Sequence, residues 1–172
     1  MSWACRARGP IPMAKNRNGG LRRFARGFRW AFCGIGRCIR SERNMRVHTV
    51  MALYVLVLSA FFPFTAGERA LLWVCIGMVM AAETFNTAIE KLCDRFCPEH
   101  DERIGRVKDL AAGAVLLTAL GALGAGISLF WRPQVLLSLW QGLCGQPLWG
   151  IAIAGALLLG LWFIRGKGFS EK

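Results

Sequence analysis

ALLWVCIGMVMAAETFNTAIEKL, Ala70–Leu92, decides how this chain is read. It opens as an uninterrupted apolar run, and about 20 mostly apolar residues suffice for a helix to cross a bilayer. Its second half keeps the helical pattern but carries Glu83, Asn86, Thr87 and Glu90. With Asp94 just beyond, these residues fall at i, i+3, i+4, i+7 and i+11, one face of a helix. Eleven residues separate Glu83 from Asp94, about 16 Å at the helical rise of about 1.5 Å per residue. The face therefore runs from the edge of the hydrocarbon at Glu83 to water at Asp94. A carboxylate at such depth costs roughly 2.5–3.5 kcal/mol on insertion scales. Neighbouring carboxylates also repel one another, and both costs fall when a cation sits among them.

Outward from this stretch, 55% of the 172 residues are hydrophobic, too many for an ordinary soluble domain. Three further apolar runs join Ala70–Leu92: Val47–Phe64, Leu110–Trp131 and Pro147–Ile164. Before the first lies Leu21–Arg46, where Leu21, Phe24, Ala25, Phe28, Ala31, Phe32, Ile35 and Ile39 recur at steps of three and four. Arginines fill the opposite side, the pattern of a helix lying in the membrane interface. The expected fold is an all-α polytopic membrane protein. It has an amphipathic surface helix, three core transmembrane helices and an additional fourth C-terminal transmembrane helix. The expected domain organisation is a disordered basic tail over 1–20 and a core domain over 21–131. That domain comprises the surface helix 21–46, spans at 47–64 and 70–92, a cytoplasmic loop 93–108 and a span at 109–131. The remainder, 132–172, holds an external segment, the span 147–164 and a cytoplasmic tail. Gly113, Gly121, Gly124 and Gly126 in the third span are expected to permit close helix packing in lipid.

Charge sets the expected orientation. Of the 22 Lys and Arg residues, 20 lie before the first span, between the second and third, or after the fourth. Only Arg69 and Arg132 lie on the other side. Lysine and arginine stay on the cytoplasmic side, which places both termini and the middle loop there. Anionic headgroups account for the net charge of +12, so no nucleic-acid partner is expected. The opening residues contain no apolar core of a cleavable signal peptide. Seven cysteines contain no C-x-x-C pair, and most lie in spans or on the cytoplasmic side, where thiols stay reduced. Cys93, Cys97 and His100 are spaced loosely like metal ligands, but a fourth ligand is not evident.

The acceptor face, a nearby lysine at Lys108 and a basic surface helix are the parts that a metal-phosphate site needs. Mg²⁺ takes one or two carboxylates and otherwise phosphate oxygens and water. Phosphoryl transfer then needs a base on the acceptor hydroxyl and cations around the moving group. No G-x-x-x-x-G-K-[ST] loop and no kinase catalytic-loop motif is present. Two other classes of function fit parts of the pattern. One is a non-catalytic membrane scaffold whose polar face joins helices through hydrogen bonds and ion pairs from Lys91 or Arg95. The other is a tethered binder of nucleic acid or acidic lipid through the first 46 residues.

AAETFNTAIEKLCDRF (81–96), RVKDLAAGAVLL (106–117) and, upstream, SERNMRVH (41–48) resemble the prokaryotic diacylglycerol kinase family, which includes undecaprenol kinases. The resemblance runs from Arg23 to Trp131. It implies a membrane lipid kinase that uses MgATP at the cytoplasmic surface of the bacterial inner membrane. It further implies a homotrimer with sites between subunits, acting on diacylglycerol or undecaprenol. By this resemblance Glu83 is the general base on the lipid hydroxyl and Asn86 orients it. Glu42 and Glu90 ligate the metal on ATP, and Lys108 neutralises phosphate charge with Asp109 organising it. Glu99, His100 and Asp101 match a nucleotide-contacting loop, and Arg23 and Trp30 match surface-helix positions that touch nucleotide or lipid. Trp30 stands where some members have tyrosine, and Asp101 where some have histidine. The fourth span lies outside the family's pattern.

Overall fold

A computed structural model describes residues 20–96, 101–145 and 147–166. The basic tail to residue 19, Cys97, Glu99, His100 and the residues after 166 lie outside the described residues. Those described form six helices: α1 (Gly20–Ser41), α2 (Arg43–Ser59), α3 (Ala66–Phe96), α4 (Glu102–Phe130), α5 (Pro133–Gly145) and α6 (Pro147–Arg165). The all-α expectation holds. By length and apolarity α3 and α4 can each cross a membrane, and α5 with Gly150–Arg165 qualifies as a further, bent pair.

α1 keeps the amphipathic pattern as a physical face: Phe24, Phe28, Phe32 and Ile35 all point outward, with Phe24 and Phe28 edge to face. α1 gives way to α2 at Glu42, whose backbone is extended (φ −101°, ψ 128°). The first helix thus ends at Ser41 rather than at Arg46, and α2 begins inside SERNM; at 17 residues it is not among the helices long and apolar enough to cross a membrane. α2 stops at Ser59, short of the expected Phe64. Pro63 disfavours helical backbone at the residue before it and has no N–H to give. Phe62 and Phe64 instead turn back into the core with Leu72 and Leu129, against Val55, Ile76 and Phe130. Phe130 meets both phenyl rings edge to face, at 4.9 and 5.2 Å between centroids.

α3 starts from a capping box, Thr65-Ala66-Gly67-Glu68. The Thr65 N–H donates to Glu68 Oε2 at 2.7 Å, and the Glu68 N–H donates back to Thr65 Oγ1 at 3.3 Å. Arg132, just after α4, pairs with Glu68, donates to the Pro63 carbonyl at 3.1 Å and lies over the Phe64 ring. This clasp ties the α2–α3 turn to the end of α4. At the opposite end Asp101 accepts from the Arg103 N–H at 2.7 Å and starts α4 seven residues before the expected span. The long helices α3 and α4 form the main packed pair, with α2 on α3 and α1 on both α2 and α3.

The glycines of α4 lie open within the chain: a Cβ at Gly113, Gly121, Gly124 or Gly126 would meet nothing within 4 Å. The close approach lies on α6, where a Cβ at Gly160 would strike the Tyr54 hydroxyl and Val50 of α2. The Tyr54 hydroxyl donates to the Ala156 carbonyl at 2.7 Å in the same contact. Among the described thiols, Cys38, Cys75, Cys93 and Cys144 are free.

Candidate active site

The polar face of α3 is real and unevenly buried. Glu83, Asn86 and Thr87 are 2%, 5% and 6% exposed, Glu90 is half-buried and Asp94 is open to solvent. The helix therefore presents a gradient, with its deepest carboxylate the most enclosed. Among the described residues no basic side chain forms an ion pair with Glu83. A buried carboxylate without such a partner is costly, and structures retain one where chemistry needs it.

Asn86 links the deep and shallow halves of the face. Its amide Nδ2 donates to Glu90 Oε1 at 2.9 Å, while its buried Oδ1 has no partner. Buried polar atoms are nearly always hydrogen-bonded, so an open acceptor beside a buried carboxylate is a place for a donor from outside the chain.

The α1–α2 elbow closes over this face. The Cys38 thiol, buried at the end of α1, donates to Thr87 Oγ1 at 3.4 Å. Burial, more than any neighbouring charge, pushes that thiol's pKa up. Glu42 follows, and it is near enough for its charge, with that of Glu90, to act on Glu83. Lys91 of α3 reaches across to Glu42 Oε1 at 3.1 Å and to Ser41 Oγ at 2.9 Å, and Ser41 donates to the same Glu42 oxygen at 3.0 Å. Arg46, 9% exposed, donates to the Arg40 carbonyl at 3.2 Å across the elbow and leaves its Nε without a partner.

At the shallow end Lys108 of α4 bonds to Asp94 at 2.5 Å. Asp109 is exposed and takes no part in that pair, so the carboxylate that holds Lys108 comes from α3. Asp101 is engaged as the helix cap of α4. On α1, Arg23 is exposed and Trp30 half-buried. The structure thus gathers Glu42, Glu83, Asn86 and Glu90 around the elbow, and Lys108 with Asp94 beyond them. Glu99 and His100 lie outside the described residues.

No group of three His, Cys, Asp or Glu side chains among the described residues is arranged to hold a metal ion. Two carboxylates, Glu42 at the elbow and Glu90 on the α3 face, are a number that fits Mg²⁺ when phosphate oxygens and water complete its shell. Beyond Glu83, a cavity of about 490 Å³ opens between α2, α3 and α4, lined by His48, Val55, Ile76, Val79, Met80 and Phe130 among others. Val79 and Met80 lie one helical turn below Glu83, so the apolar groove leads up to the buried carboxylate.

A family model described as prokaryotic diacylglycerol kinase matches residues 29–130, from within α1 to the last residue of α4. The chain belongs to the prokaryotic diacylglycerol kinase family. It is 32% identical to the undecaprenol kinase of Bacillus subtilis over 117 residues, 68% of this chain and 95% of that one. It is 32% identical to the diacylglycerol kinase of Escherichia coli K12 over 120 residues, 69% of this chain and 97% of that one. A diacylglycerol kinase of Synechocystis is 33% identical over 107 residues, 62% of this chain. That match spans only 61% of the cyanobacterial protein. The kinase-family match ends at α4, so α5 and α6 are additions outside it.

Sequence reasoning misses Lys91 as the partner of Glu42, Arg46 and Cys38 at the elbow, Asp94 as the holder of Lys108, and the apolar groove. The Thr-x-x-Glu box at Thr65–Glu68 carries a readable signal. The others depend on two or three helices meeting, and no local spacing records that.

Proposed function

We propose that this protein is a lipid kinase of the bacterial inner membrane that transfers the γ-phosphoryl group of ATP to a membrane lipid hydroxyl. The acceptor is diacylglycerol or undecaprenol. The observation that carries this reading is the buried Glu83 beside the open Asn86 Oδ1, at the head of an apolar groove. The family membership supports the same chemistry.

In this account the groove takes the lipid's hydrocarbon chain and brings its hydroxyl to Glu83. The hydroxyl proton passes to the Glu83 carboxylate as the hydroxyl oxygen attacks the γ-phosphorus. The bond to the β–γ bridging oxygen breaks, and ADP leaves with its electron pair. Asn86 receives a donor at Oδ1 while its amide group keeps Glu90 in place. Glu42 and Glu90 would hold a divalent ion, which when bound offsets phosphate charge. Lys108 supplies a further positive charge at the shallow end, held by Asp94. Arg23, Trp30, Glu99, His100, Asp101 and Asp109 are assigned nucleotide contacts by family resemblance, with Asp101 also serving as a cap.

The charge split of 20 against 2 supports a site and both termini facing the cytoplasm. The core domain 21–131 carries the chemistry, and the family's pattern supports a homotrimer, for which the open glycine side of α4 leaves room. The test is transfer of labelled phosphate from MgATP to each lipid in mixed micelles. The reading predicts a labelled product with at least one of them. Folded protein that labels neither contradicts it.

A further inference from the structure

Glu42 sits at the N-cap of α2, yet its side chain makes no capping hydrogen bond. A short polar side chain there would bond to the first free N–H groups of the helix. The Glu42 carboxylate instead turns to α3, where Lys91 and Ser41 both donate to it or to each other: Lys91 to Glu42 at 3.1 Å, Lys91 to Ser41 at 2.9 Å, Ser41 to Glu42 at 3.0 Å. The carboxylate's one cationic partner among the described residues, Lys91, comes from 49 positions along the chain.

Lys91 holds the Glu42 carboxylate at 3.1 Å, so its ammonium sits on one of the two carboxylates that would hold a divalent ion. Its side chain is 56% exposed, against 28% for Glu42. Lys91 can therefore swing into solvent without opening a cavity, while Glu42 stays anchored by the elbow. We propose that Lys91 is a positioning residue that stands in for the divalent ion. It holds the Glu42 carboxylate toward α3 before metal and nucleotide arrive, and the incoming ion must displace it. This rests on the reading of Glu42 as a metal ligand. Without Lys91 the carboxylate faces Glu83 and Glu90 with no cation among them, and the site attracts a divalent ion more strongly.

The test is Mn²⁺ binding to the nucleotide-free full chain in detergent, followed by electron paramagnetic resonance of the free ion. Lys91→Met is expected to tighten binding by about two- to fivefold, the range an exposed ion pair can supply. Lys91→Arg, which keeps the charge, is expected to bind at the wild-type level, whereas a purely structural role would have Lys91→Met weaken binding or leave it unchanged. Wild-type or weaker affinity in Lys91→Met overturns the proposal, and Lys91→Gln repeats the measurement if the methionine variant is poorly folded. Glu42→Gln separates the two layers of the argument. If it weakens Mn²⁺ binding while Lys91→Met has no effect, the stand-in role alone falls. If Glu42→Gln leaves binding unchanged, the ligand assignment of Glu42 falls and the proposal falls with it.

Discussion

Asn86 carries two tasks on one side chain: its amide nitrogen holds Glu90, and its buried oxygen is open. Leucine at this position keeps the volume and removes both. Hydrogen bonds to charged groups contribute about 1.5–3 kcal/mol each, so Asn86→Leu is expected to lower turnover roughly ten- to hundredfold. The measurement is initial rate at saturating lipid and nucleotide, beside the melting temperature of the purified protein. The expected result is a large loss of turnover in protein that still folds, its melting temperature lowered by no more than the lost Asn86–Glu90 hydrogen bond accounts for. Lys108 is a different case, because its partner Asp94 is exposed and the pair is screened by water. Asp94→Asn is expected to raise the KM for ATP more than it lowers kcat, since it frees a cation without removing it. The residues of the α3 face are legible in the sequence because a single helix fixes them, and period 3.6 alone aligns Glu83 with Asp94. Lys91 and Asp94 are seen in the sequence, but their partners are not. A pair such as Lys91 with Glu42 exists only because the elbow folds α1 and α2 back onto α3.

At the scale of elements, the elbow and the added helix each rest on one contact that can be tested. Cys38 is 4% exposed and bonded to Thr87, and burial favours its neutral thiol. Thiolate is the reactive form, so a raised pKa means less of it at a given pH. In single-cysteine variants, a membrane-permeant maleimide is expected to modify Cys144 quickly and Cys38 slowly, with Cys38 accelerating when the chain is unfolded. Equal rates in the folded protein would mean that α1 does not dock on α3. α6 docks on α2 through Gly160 and the Tyr54–Ala156 hydrogen bond. Gly160→Leu places a branched side chain where the Tyr54 hydroxyl lies, so it is expected to push α6 off α2 and lower the melting temperature more than Tyr54→Phe, which loses only the hydrogen bond; an unchanged melting temperature in Gly160→Leu would mean that α6 does not dock on α2. Small residues allow close approach, but only the partner helix decides whether it occurs, and within this chain the approach is made at α6 instead. The ends of elements are similarly set by nonlocal chemistry: Pro63 and the Phe62–Phe64 core cluster end α2 early, while Asp101 starts α4 early.

For the whole molecule, the charge split predicts an orientation that can be tested from outside the cell. Cys144 lies at the end of α5, and Cys93 lies near the C-terminal end of α3, which that orientation places in the cytoplasm. A membrane-impermeant thiol reagent applied to spheroplasts is expected to label Cys144, and to label Cys93 only after permeabilisation. The reverse order would invert the topology. In the proposed function Glu83 would meet a lipid hydroxyl arriving along the groove between α2, α3 and α4, and Glu42 and Glu90 would meet the nucleotide from the cytoplasm. Ala70–Leu92 would then join these two phases on one helix face. The most direct test is a comparison of the wild-type chain with Glu83→Gln in mixed micelles, measuring phosphate transfer to diacylglycerol and undecaprenol alongside ATP binding. Removing a general base is expected to lower transfer by about 10²–10⁴-fold, with ATP affinity unchanged. Transfer by Glu83→Gln at the wild-type rate, with the protein folded and binding ATP, would contradict the account.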